Sequence, residues 1–85
     1  MTVPFRFFIR ERREELGLSY EAVAAAVGIA RAASGLIMLY EEGLRNCDID
    51  RVPALAKALQ TDPGELVKLA MATQMPNAYA ALFKD

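Results

Sequence analysis

SYEAVAAAVGIARAASGLIMLYEEG, residues 19–43, is the stretch that decides how this chain folds. Ser19 is a strong helix N-cap, because its hydroxyl accepts a backbone N–H that the first helical turn leaves unpaired. The alanine-rich run behind it favours helix, and Val23 and Val27 fall one turn apart on the same face. Gly28 then supplies a left-handed stop, so the pattern predicts a short helix over residues 19–27. From Ile29 to Glu42 the composition is helical again, and Gly43 repeats the stop. Two short helical segments therefore flank a turn at Gly28.

Working outward, Pro4 suits the first turn of a helix in which Phe5, Phe8, Ile9 and Leu16 recur at helical spacing. Gly17 ends it, which places a first helix over residues 4–16. On the other side, Leu44-Arg45-Asn46-Cys47 reads as a loop. Asp48 or Asp50 is the expected cap of a fourth helix whose Val52, Leu55, Ala56 and Leu59 form one face. Asp62-Pro63-Gly64-Glu65 combines an N-cap, a proline at the first helical position and a glutamate placed for a capping box. The fifth helix that it starts carries Leu66, Leu69 and Ala70. Pro76 closes this helix, and Asn77 is the expected cap of a last turn or two through Ala78–Phe83. No segment alternates with period two over a useful length, so strands are not expected. The expectation is one all-α domain over residues 1–85, with a five-helix core at 4–73 and a short C-terminal helical extension at 74–85.

The bulk numbers narrow the function classes. Apolar residues make up 54% of the chain, a high share for so small a domain. A subunit interface is the simplest outlet for the excess, and a homodimer is expected. With one cysteine, Cys47, and no histidine, there is no intramolecular disulfide, no plausible zinc site and no histidine-based catalysis. Neither a cofactor loop nor a nucleophile with a base can be recognised, so no enzyme and no cofactor are expected. Cys47 also points to a reducing, cytoplasmic setting. It reads as an ordinary thiol, since Asp48 and Asp50 nearby would discourage its thiolate. The apolar patch from Met1 to Phe8 is too short and too interrupted by arginine for a signal peptide or a membrane span. Net charge is −1, a poor match to a nucleic-acid binder, but the charge is unevenly spread. Between Arg6 and Arg13 there are four arginines and one glutamate, whereas residues 46–85 hold four basic and five acidic side chains, so phosphate contact is open to the first segment and not expected of the C-terminal half.

From Ile9 to Leu69 the chain resembles the Cro/C1-type (XRE) helix-turn-helix family. The likeness is carried in order by Ile9-Arg10-Glu11-Arg12-Arg13-Glu14-Glu15-Leu16-Gly17-Leu18-Ser19 and Val23-Ala24 with Val27-Gly28-Ile29. Tyr40-Glu41-Glu42-Gly43, Val52-Pro53-Ala54-Leu55-Ala56-Lys57-Ala58-Leu59 and Pro63-Gly64-Glu65-Leu66 continue it. No one of these matches is specific; the ordered set is. The resemblance implies a lambda-repressor-like domain in which the segment before Gly43 is the recognition helix. It also implies that Arg13 and Glu41 form a structural ion pair between the first helix and the end of the third.

The departures from the family pattern concern the recognition segment. Fourteen residues lie between Gly28 and Gly43, about three more than the family pattern, which is close to one helical turn. Either the third helix starts near Ala30 and is a turn longer, or the turn is extended and Ser34 caps the helix. Capping chemistry favours Ser34, with Ile29–Ala33 as the lengthened turn, because alanine cannot cap and Gly35 is a poor interior residue. The segment is also unusually apolar. Arg31 and Ser34 are its base-reading candidates, with Gly35 for close approach and Met38 for contact with thymine methyls. The same apolar residues would equally suit a protein interface.

Phosphate contacts are expected from Ser19 and Tyr20, where the helix start also presents free N–H groups, and from Arg45 and Asn46 just after the recognition helix. Arg10 is a further candidate. Two readings follow from these residues. The first is a transcriptional regulator that binds double-stranded DNA as a dimer on a pseudo-palindromic operator. The alternative is a protein-interaction module, or an antitoxin-like partner, built on the same fold.

Overall fold

A computed structural model describes residues 3–83; residues 1–2 and 84–85, which the single-domain expectation also takes in, lie outside the described residues. The helices are α1 (Phe5–Glu15), α2 (Tyr20–Ala26), α3 (Gly35–Glu41), α4 (Val52–Ala58), α5 (Pro63–Gln74) and α6 (Pro76–Leu82). Single 3-10 turns at Arg31–Ala33 and Ile49–Arg51 lead into α3 and α4. No strand occurs among the described residues.

Local chemistry accounts for most of these boundaries. Ser19 Oγ accepts the Ala22 N–H at 3.0 Å and starts α2, and Asp62 Oδ2 accepts the Glu65 N–H at 2.8 Å and starts α5. Asp48 caps the 3-10 turn ahead of α4, accepting the Asp50 N–H at 3.4 Å. The first four helices all end in the same double closure. After α2, for example, the Gly28 N–H reaches the Ala25 carbonyl at 3.2 Å and the Ile29 N–H reaches Ala24 at 2.8 Å. This arrangement satisfies carbonyls that a helix end would otherwise orphan, and it needs one left-handed residue. Gly28 meets that need at φ +79°, whereas the same position after α4 is filled by Gln60 at φ +55°.

Two expectations are corrected here. Ser34 stands just before α3, which begins at Gly35 as expected, but it does not cap the helix: its backbone is already helical, at φ −60° and ψ −22°, and its hydroxyl makes no capping bond. The extended residue is Ala30, at ψ 143°, and the path turns helical immediately after it. The Ala33 N–H bonds to the Ala30 carbonyl at 2.8 Å and the Ser34 N–H to Arg31 at 3.1 Å. The extra length is thus a tight 3-10 turn running straight into α3, neither a loop nor an added α-turn. Nor does Asn77 cap the last helix. Met75 occupies the capping position and Pro76 opens α6, where its missing N–H costs nothing.

The core draws on every helix except α6. Ile9, Val23, Ala24, Ile37, Val52, Leu55, Ala56, Leu59, Leu66 and Ala70 are all essentially buried. Each fully buried Leu, Ile or Val side chain stabilises by about 1.5–3 kcal/mol, so this cluster is the main source of stability. Within it α4 lies along α5, and α2 packs on both α3 and α4. Arg12 of α1 closes the far end of α4, donating to the Leu59 carbonyl at 3.1 Å and the Gln60 carbonyl at 3.3 Å. Its cationic head sits where a helix C-terminus favours positive charge.

Candidate nucleic-acid interface

One side chain ties both ends of the α2–turn–α3 unit to α1. Arg13 donates to both carboxylate oxygens of Glu41, at 2.7 and 3.1 Å, and to the Leu18 carbonyl at 3.0 Å. Its guanidinium also lies 4.4 Å from the centre of the Tyr20 ring. One arginine on α1 therefore grips the approach to α2 and the last residue of α3 together. The Glu41 hydrogen bond holds the Arg13 pKa above its ordinary value, against the opposing effect of burial. A paired, bidentate geometry is what a carboxylate needs in order to lie this deep.

The outer surface that this clamp orients is sparse. Arg31, Ala32, Ala33, Gly35 and Met38 are exposed, Ser34, Leu36 and Leu39 are half-buried, and Ile37 and Tyr40 face the core. Arg31 is the one cation between Gly28 and Gly43. The small side chains around it let another surface come close to the backbone, and Met38 offers a polarisable apolar contact. At the start of α2, Ser19 is exposed but its oxygen is engaged by Ala22, and half-buried Tyr20 is stacked under Arg13. Arg10 is exposed on α1, with its guanidinium 3.9 Å from Glu14 one turn later.

Arg45 and Asn46 are exposed on the loop after α3. Along with Arg6, Gly43, Thr73 and Gln74 they line a hollow of about 150 Å³ between the start of α1 and the end of α5. Arg6 belongs to the arginine-rich segment open to phosphate contact, but its place beside the loop after α3 is not legible in the sequence. Its position depends on a tertiary approach to Gly43, which no local pattern encodes. A Cβ at Gly43 would come within 2.8 Å of Arg6 Cδ, so the glycine both turns the chain and makes room for this arginine. Gln74 pins the loop from behind, donating to the Cys47 carbonyl at 2.6 Å.

Cys47 itself is fully buried. Its thiol is pushed up to about 11, first by desolvation, with only a minor push from Asp48. Burial, and not the acidic neighbours named from the sequence, keeps it protonated. Beside it, Tyr40 accepts a hydrogen bond from Arg51 at 3.2 Å, and burial raises the phenol pKa. Among the described residues, no group of His, Cys, Asp and Glu side chains could hold a metal ion, and no helix is long and apolar enough to cross a membrane.

Residues 5–69, about three quarters of the chain, match a family model described as a helix-turn-helix domain. No curated protein and no solved structure matches the chain.

Proposed function

The chain belongs to the helix-turn-helix domain family, a DNA-binding regulator type, and on that premise we propose that it is a sequence-specific transcriptional regulator of the Cro/C1 class. It acts in the cytoplasm as a homodimer on a pseudo-palindromic operator. The observation that carries this reading is the exposed strip Arg31, Ala32, Ala33, Gly35 and Met38, held in place by the Arg13–Glu41 clamp. In the major groove such a strip brings the backbone close to the base edges. Arg31 and Ser34 supply polar readout there, and Met38 meets thymine methyls. Ser19, Tyr20, Arg10, Arg45 and Asn46 contribute contacts to the phosphates that set register but carry no sequence information.

Dimerisation is supported by apolar surface away from that strip. Val3, Phe8, Leu66 and Leu69 line a groove of about 290 Å³, and Val3, Met75 and Leu82 are exposed. Two half-sites about one DNA turn apart would double a contact that is thin in one protomer. The test is a gel shift at low salt with DNA from upstream of the chain's own gene. Absence of retention ends the reading. Selection of bound sequences from a random duplex pool would then reveal half-site spacing and base preference together.

A second reading is favoured by one specific feature. Met38 is exposed at 38%, and Arg31 is the one cation on the strip, a surface that also suits an apolar protein partner. A stable complex with another protein that buries Met38, together with no affinity for any duplex, would select this reading over the first.

A further inference from the structure

The hollow beside Gly43 collects an unusual set of groups. Two guanidiniums, from Arg6 and Arg45, two carboxamides, from Asn46 and Gln74, and the Thr73 hydroxyl line it, and no carboxylate does. Its apolar floor is formed by Phe5 and Tyr40, both buried. Among the described residues, neither Arg6 nor Arg45 has an acidic partner within salt-bridge distance, unlike Arg10, Arg12 and Arg13. Arg6 is nevertheless held in place. Its guanidinium lies 4.3 Å from the centre of the Phe7 ring, and its Cδ lies against Gly43. On the opposite side, the Gln74 bond to the Cys47 carbonyl steadies the loop that carries Arg45 and Asn46. Near the end of α3, the Leu39 carbonyl accepts from Leu44 and Arg45, and the Tyr40 carbonyl accepts from Gly43. The two guanidiniums are the charged side chains among the residues that line the hollow.

From this geometry we propose that the hollow is an oxyanion site. It takes one phosphate-type group between Arg6 and Arg45, with the Asn46 carboxamide as the neutral donor; the Thr73 hydroxyl at its edge donates to the Leu69 carbonyl at 3.4 Å. Planar guanidiniums match the oxygen edge of such a group and form charge-assisted bonds to it. Inorganic phosphate and a DNA phosphodiester present the same chemistry. Only the phosphodiester source rests on the DNA-binding reading; the site itself does not.

The test is an amide-resolved NMR titration of the full chain with inorganic phosphate, with chloride at matched ionic strength as reference. The expected result is saturable movement of the Gly43, Thr73 and Asn46 and Gln74 side-chain amide signals. Arg6→Gln should weaken this binding about tenfold, the loss of one charge-assisted contact. Lys57→Gln, an exposed cation on α4, should leave it unchanged. Arg6→Lys, which keeps the charge and loses the fork, should fall between the two. The variant spectra themselves report whether each remains folded. Movements equal to those in chloride, or an Arg6→Gln variant that titrates like Lys57→Gln, overturn the proposal.

A bound duplex then identifies the source. Loss of the phosphate response when duplex is added assigns the hollow to a backbone phosphodiester, and a response that persists beside the duplex assigns it to a free oxyanion. Phosphate binding without any duplex binding would keep the site and sink the DNA reading. Duplex binding by the Arg6→Gln variant at wild-type strength, with no phosphate response in the wild type, would do the reverse.

Discussion

Arg13 and Glu41 face each other across the helix-turn-helix unit at 2.7 and 3.1 Å, and Glu41, at 3% exposure, is the one buried charged residue in the described core. The two partners are not equivalent. Without Arg13 the carboxylate stays buried with no counter-charge, whereas without Glu41 the guanidinium keeps the Leu18 carbonyl and the Tyr20 ring. Arg13→Ala should therefore cost about 3–5 kcal/mol, and Glu41→Ala clearly less. That loss is a large share of the stability of any domain this size. Urea denaturation of both variants measures it, and an Arg13→Ala loss below about 1 kcal/mol would contradict the clamp.

Gln60 does the work of a helix-ending glycine at φ +55°. A side chain in the left-handed region is strained by about 1–2 kcal/mol, of which the extra unfolded-state freedom of glycine takes back a part. Gln60→Gly should stabilise by about 0.5–1 kcal/mol and raise Tm by a few degrees. The bonds from Arg12 and to Lys57 use the Gln60 backbone, so both survive the change. Calorimetry showing an unchanged or lower Tm would mean that the Gln60 side chain contributes something unrecognised.

The buried thiol predicts a loss of stability in alkali. Cys47 moves from 9.0 to about 11 on folding, so the native state holds the proton more tightly than the unfolded chain does. Its contribution is whole below pH 9 and is lost as pH rises towards about 11. The amount is on the order of 2–3 kcal/mol, and Tyr40, shifted in the same direction, adds to the trend. Urea midpoints should hold between pH 8 and 9 and fall from pH 9 to 11, and Cys47→Ala should flatten that fall even though its cavity lowers stability throughout. A thiol reagent that labels the native protein at neutral pH as fast as it labels the unfolded chain would refute the burial behind this prediction.

The proposed DNA reading gives two arginines different roles, base reading for Arg31 and phosphate contact for Arg45. Arg45→Ala should weaken binding to every duplex alike and reduce the slope of log affinity against log salt by about one. Arg31→Ala should cost about 1–3 kcal/mol on the preferred operator and relax preference at one base position. Gel shifts over a salt series, with matched and mismatched operators, distinguish the two patterns. Equal behaviour of both variants would remove Arg31 from the reading surface.

What could be read in the sequence was the chemistry that acts over a few residues. Ser19 and Asp62 cap where their types and spacing say they should, and Gly17, Gly28 and Gly43 all adopt the left-handed stop. Ser34 marked the start of α3 but not its chemistry, because capping preference is local, while the continuous 3-10 path out of Ala30 leaves its backbone helical and its hydroxyl without a capping bond. The positions of Arg6 and Arg12 were illegible for a different reason. One is positioned by Gly43 and the other by the end of α4, both distant in sequence. The apolar fraction that suggested a dimer also contains much alanine, and Ala22, Ala25, Ala26, Ala30, Ala32 and Ala33 are exposed, where alanine serves helix formation at little cost. The structural case for an interface rests instead on the few large exposed side chains.

The tight turn into α3 has a consequence for how such a protein diversifies. Ile29 and Ile37 are sunk in the core at 8% and 1% exposure, and every residue from Ala30 to Leu36 between them lies exposed or half-buried. The fold holds this stretch like a cartridge seated on two pegs, and almost none of its side chains is needed to keep the pegs in place. Residues 31–35 can then be exchanged wholesale while the scaffold stays at nearly constant stability. A library confined to those five positions and Met38 would sample new specificities without first having to rescue the fold.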